Sequence, residues 1–118
     1  MINDQHFPKQ KRLLKPAEYQ HVYKNGKWVS NRELSANFKE QRLTFCRLGI
    51  TVSRKVSKRA VDRNRIKRQI REWFRSKDLK NHSIDIILTA KPSLNNKANH
   101  QIQESINDIW RKVQRKLS

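Results

Sequence analysis

The chain predicts an α+β fold, a single sheet with helices packed against it. Three observations carry that reading. A long segment with helical apolar spacing, residues 58–75, separates two β-rich runs at 43–52 and 84–90. A second amphipathic segment closes the chain over about 98–117. Strands split by helices suit helices layered on a sheet better than a bundle or a sandwich. With 118 residues, the chain is one domain, 1–118, with a single modest core.

Each element follows from local pattern. Residues 1–14 are polar and basic and read as an extended arm, with Phe7 and Pro8 inside it. Pro16 suits the first turn of a helix and Gly26 a left-handed terminator, with Tyr19, Val22 and Tyr23 at helical spacing between them. Residues 28–38 mix Trp, Val and Phe with small polar residues and read as one or two strands. Over 43–52 the set Thr44, Cys46, Leu48, Ile50 and Val52 forms the more apolar face of a strand, and the charged 39–42 stretch suits the turn before it. Residues 53–59 form a polar connector. The run IDIILTA, 84–90, is a compact strand that ends before Lys91-Pro92. In the last segment Ile102, Ile106, Ile109, Trp110, Val113 and Leu117 keep one helical face, with Asn95, Asn96 or Asn99 as cap.

Composition directs the functional reading. Only 35% of residues are apolar, against a usual ~45–50%, so the core must be economical. The formal charge is +18, from 28 basic and 10 acidic residues. Solubility needs a magnitude of only about 2–8 on a small domain, so this charge points to a polyanionic partner. No apolar run approaches the ~18–20 residues of a membrane span, and the N-terminus lacks a secretory pattern. The single Cys46 allows no intrachain disulfide and suits the cytoplasm, where it reads as a small buried hydrophobe.

The charge concentrates in residues 58–75, KRAVDRNRIKRQIREWFR, where eight of eighteen residues are Lys or Arg. At ~100° per residue Ile66, Ile70, Trp73 and Phe74 share one arc, suited to a core. Asn64, Arg68, Arg71 and Arg75 lie roughly opposite, flanked by Arg65 and Lys67. The planar guanidinium donates two parallel hydrogen bonds to a phosphate, so this face suits nucleic acid. No constellation for protein-borne catalysis stands out. The carboxylates are scattered, and His6, His21, His82 and His100 lack metal-ligand spacing with one another or with Cys46. His100 reads as a surface residue. On these features alone a structural ribosomal protein and a DNA-binding protein remain open. Trp73 and Phe74 on the helix face needed for packing argue against the second.

The string RNRIKRQIREWFR resembles the signature helix of the bacterial ribonuclease P protein component. RLLKPAEYQHVYKNG, RLGITVSRKVSKRAVDRNR, IDIILTAKP and SINDIWRKV resemble further elements of that family in the same order. The resemblance implies a four-stranded sheet with three helices, an α/β sandwich like the second domain of ribosomal protein S5, with an unusual left-handed βαβ crossover. It implies the protein subunit of a ribonucleoprotein that removes the 5′ leader of precursor tRNA. The catalytic RNA would bind the Mg2+, leaving no catalytic, metal or cofactor site on the protein, and the protein would be a monomer in a 1:1 complex. It places Arg63, Asn64, Arg65, Lys67, Arg68 and Arg71 against the catalytic RNA, with Ser53, Arg54, Lys55 and Lys58 in the basic connector; Arg59 and Arg75 extend that surface. It places a leader cleft between the first helix and the sheet, lined by Tyr19, Tyr23 and Lys91. The family's further strand aromatic aligns at Asn37, so either Asn37 replaces the ring or Phe38 supplies it; Phe38 is the residue assigned. Tyr19 and Tyr23 also fit ordinary core packing.

Overall fold

A computed structural model describes residues 9–77 and 82–117. In chain order the elements are α1 (Pro16–Asn25), β1 (Lys27–Ser30), β2 (Leu34–Glu40), β3 (Arg47–Thr51), α2 (Ala60–Ser76), β4 (Ile84–Ala90) and α3 (Asn99–Leu117). The sheet order is β1-β2-β4-β3. β1 with β2 and β2 with β4 are antiparallel, while β3 and β4 run parallel, with α2 crossing between them. Three helices and a mixed four-stranded sheet match the expected α+β architecture.

The two sheet faces carry different layers. Leu34, Ala36 and Phe38 of β2, Leu48 of β3 and Ile84, Ile86 and Leu88 of β4 point to the main core. There they meet Ile66, Ile70, Trp73 and Phe74 of α2 and Ile102, Ile106, Ile109, Trp110 and Val113 of α3. The apolar stripes read from the sequence are thus the packed faces. The two helices are stitched by Trp73 Nε1 donating to Asn107 Oδ1 at 2.7 Å and by Gln103 Nε2 donating to Gln69. On the opposite face a smaller cluster joins Leu13, Val22 and Ile87, with Tyr19 against it.

Several expectations change in detail. The expectation for residues 1–8 lies outside the described residues. The described end of the arm is docked: Arg12 bridges Leu48 in parallel, Leu13 N–H donates to Leu48 O at 2.9 Å, and Leu13 is buried. Gly26 is extended, not left-handed, at φ −96°. Its lack of a side chain serves close approach, since a Cβ there would lie 2.3 Å from Phe38 O and 2.6 Å from Val22 O. Lys39 and Glu40 belong to β2, and β3 begins only at Arg47. The intervening residues are held as a turn by Gln41, which accepts from Leu43 N–H and donates to Phe45 O. At the start of α3, Gln101 Oε1 accepts from Ala98 N–H at 2.8 Å, while Asn99 Oδ1 serves Arg65 instead of capping.

Candidate nucleic-acid interface

α2 begins after a connector whose own hydrogen bonds shape it. Val56 is buried, Lys55 N–H donates to Ser53 Oγ, and Ser57 Oγ donates to Asp62 Oδ2 at 2.8 Å. This anchors the connector while Ser53, Arg54, Lys55, Lys58 and Arg59 stay exposed. Along the helix, Val61, Asn64, Arg68, Arg71 and Arg75 alternate by three and four residues and are all exposed. At 1.5 Å per residue this stripe runs about 21 Å. Arg75 is paired with Glu72 at 2.6 Å.

Two of the signature arginines are engaged inside the fold. The Arg63 guanidinium donates to Ser57 O and Lys58 O at 2.9 and 3.0 Å, fixing the connector against α2. Arg65 donates to Asn99 Oδ1 at 2.8 Å and to Asn95 O and Lys97 O, both at 3.0 Å. These bonds hold the loop before α3. Lys67 is half-buried. The predicted face therefore separates into an outward stripe and a pair of fasteners.

The second surface lies on the other layer. Glu18 closes the start of α1, accepting from Leu14 and Lys15 N–H groups at 2.9 Å each. Its second oxygen accepts from Arg47 Nη1 at 2.9 Å. Arg47 also forks onto Asp85, Nε to Oδ1 at 2.8 Å and Nη2 to Oδ2 at 2.6 Å, so it ties α1 to the starts of β3 and β4. The two backbone donors, with the Arg47 charge behind them, hold the Glu18 carboxyl below its ordinary range.

From that anchor α1 turns Val22 into the sheet and Tyr19 onto Gly49. A Cβ on Gly49 would meet the Tyr19 ring at 2.8 Å, so the glycine makes the seat for the ring. Burial pushes the Tyr19 hydroxyl up, opposed by a hydrogen bond at the Ile50 backbone. Tyr23, one turn on, is 46% exposed. One ten-residue helix cannot cover four strands. By register Ser35, Thr89 and Thr51 lie side by side on this face, as do Trp28, Asn37, Ile87 and Gly49. Ser35, Asn37, Thr51 and Thr89 are all half-buried, a polar floor beside Tyr19 and Tyr23.

Phe38 is the correction here. It is 1% exposed in the main core, because alternation along β2 sends it with Leu34 and Ala36 to the α2 and α3 side. Asn37 is the residue on the α1 side. The spacing Leu34, Ala36, Phe38 was the signal that could have assigned it. Lys91 stands just past β4, its ammonium donating to Asn31 O at 2.7 Å in the β1–β2 turn. That turn is itself fastened to α3 through Asn31 Nδ2, which donates to Ser105 and Asp108.

Among the described residues no three His, Cys, Asp or Glu side chains converge as metal ligands. No helix there is long and apolar enough to cross a membrane. Cys46 is buried, and desolvation, with Asp85 nearby, pushes its thiol up to about 12. His100 is exposed.

A small basic α+β protein, with an arginine-bearing helix face on one layer and a half-open aromatic sheet face on the other, is the class this geometry defines. The chain belongs to the ribonuclease P protein family: the Ribonuclease P family model matches residues 7–114. It is 38% identical over 107 residues to the ribonuclease P protein component of Legionella pneumophila (strain Lens), covering 91% of this chain and 92% of that one. It is 40% identical over 103 residues to that of Idiomarina loihiensis, covering 86% and 82%. Among solved structures it resembles a Staphylococcus aureus RNase P protein mutant with defective mRNA degradation activity, at TM-score 0.83 and 35% identity over 92% of each chain. It also resembles the RNase P protein of Thermotoga maritima, at TM-score 0.74 and 28% identity over 85% and 96%.

Proposed function

We propose that this chain is the RNA-binding subunit of a bacterial ribonuclease P ribonucleoprotein and works with two separate surfaces. The α2 stripe and its connector hold the catalytic RNA through phosphates. The open sheet face beside Tyr19 and Tyr23 receives the single-stranded 5′ leader of precursor tRNA, whose bases stack on aromatic rings with little regard to sequence. Bond cleavage belongs to the RNA and its Mg2+; the protein, acting as a cytoplasmic monomer in a 1:1 complex, raises affinity for substrate and metal. The observation that carries this reading is the segregation of exposed arginines and exposed aromatic face onto opposite sides of one sheet. One layer suits a folded RNA's backbone and the other an unpaired strand.

The test is cleavage of precursor tRNA by bacterial ribonuclease P RNA at low magnesium, with and without this protein. The expected outcome is a rise in rate that shrinks as magnesium increases. Cleavage no faster than with RNA alone would overturn the proposal.

A further inference from the structure

Trp28 is 66% exposed, whereas Trp73 and Trp110 are 3% and 7% exposed within the core. An indole left this open adds little to packing, and its cost in ordered water suits a surface that is covered by a partner. Its position is specific. Trp28 sits on the edge strand β1 and pairs across to Asn37, which places it by register on the same sheet face as Gly49, the seat of Tyr19. It also lines an open groove of about 580 Å³ with Val29, Ser30 and, from the last turns of α3, Lys112, Arg115 and Lys116. Lys112 Nζ is aimed there by donating to Ser30 O at 2.9 Å. Trp28 therefore stands where the open face reaches the sheet edge and continues into a cationic groove. A flat π surface beside three cations fits an unpaired polynucleotide strand, with bases on the ring and phosphates among the ammonium and guanidinium groups.

We propose that Trp28 and the α3 cations form a second station for the single-stranded 5′ leader, beyond the one at Tyr19 and Tyr23. This inference rests on the leader reading given above. The leader, and not the catalytic RNA, is the occupant because the groove is continuous with the leader face. α2 lies over β3, whereas the groove follows the opposite sheet edge, with α3 packed along β1 and β2.

The test uses the full chain assembled with ribonuclease P RNA. Affinities are measured for precursor tRNA with a long leader, the same tRNA with its leader cut to a few nucleotides, and mature tRNA. Trp28→Ala should weaken the long-leader substrate roughly ten-fold, the scale of one lost base stack, and leave the other two unchanged. Trp28→Phe should restore most of the loss. In the wild type the long leader should alter indole emission, and in Trp28→Phe that change should vanish, a readout independent of any folding defect in the alanine variant. Unchanged long-leader affinity together with unchanged emission overturns the second station. If Tyr23→Ala in that case weakens leader-bearing tRNA more than mature tRNA, the first station stands. Equal weakening of all three substrates by Trp28→Ala also overturns it, since the groove would then be holding the catalytic RNA. A wild type that does not distinguish leader-bearing from mature tRNA removes the leader reading itself.

Discussion

Arg65 and Arg68 lie three positions apart on α2 and have different surroundings. Arg65 spends its donors on Asn95, Lys97 and Asn99, whereas Arg68 and Arg71 face solvent. Replacing Arg68 and Arg71 by Ala is expected to lower the slope of log affinity against log salt for ribonuclease P RNA by roughly 0.7–0.9 per lost phosphate contact. Titration of binding across salt concentrations checks this, and an unchanged slope would take both residues out of the interface. Arg65→Ala should act on the fold, costing about 1.5–3 kcal/mol of stability through lost charged hydrogen bonds. Denaturant unfolding reads that cost, and a salt slope unaltered by the variant separates the two roles. Gly49 makes a third case at this scale. Gly49→Ala should displace the Tyr19 ring, which a Cβ would approach to 2.8 Å, and so reduce affinity for leader-bearing tRNA more than for mature tRNA. Equal affinities in the variant and the wild type would show that the ring's seat is not used.

At the scale of elements, α1 depends on one carboxylate. Glu18 accepts from two N–H groups at the helix start and from Arg47, and its folded-state pKa lies below the ordinary 4.5. A lowered pKa gives stability that is complete above the unfolded value and is lost as pH falls through the folded one. Glu18→Gln should therefore flatten the fall in stability below about pH 4.5 and cost about 1 kcal/mol at neutral pH. Thermal unfolding measured across that range tests it; an acid limb as steep as the wild type's would assign the dependence elsewhere. The helices themselves were legible in the sequence. The 66-70-73-74 and 102-106-109-110-113 spacings became the buried stripes of α2 and α3, because apolar periodicity is a local property. β4 was legible as a short β-rich run ending before Lys91-Pro92, also a local signal though not a periodic one. The start of β3 was not, because the Gln41 side chain holds the residues before it in a turn, and no periodicity announces that bond.

For the whole molecule, Arg47 joins three elements. Its fork on Asp85, which is 4% exposed, bridges β3 and β4, and its third contact reaches α1. Arg47→Ala would leave the buried Asp85 carboxylate without its ion-pair partner, keeping the 3.3 Å hydrogen bond from Gln41 Nε2. It is expected to cost about 3–5 kcal/mol, more than any single change on the α2 stripe. Urea unfolding checks it, and a loss under about 1 kcal/mol would mean that water serves Asp85 as well as Arg47 does.

The sequence by itself determined the α+β class, the order of elements, the buried stripes and the presence of a cationic helix face, since these follow from spacing and composition. Only the tertiary structure decided which arginines are fasteners, that Phe38 is core and Asn37 faces α1, and that Trp28 borders a groove with Lys112, Arg115 and Lys116. The physical reason is distance along the chain. Arg65 meets partners thirty or more residues away, Arg47 meets Asp85 thirty-eight away, and Lys112 meets Ser30 eighty-two away. Local patterning specifies what each segment can bury, and packing between distant segments then determines which of its polar groups remain for a partner.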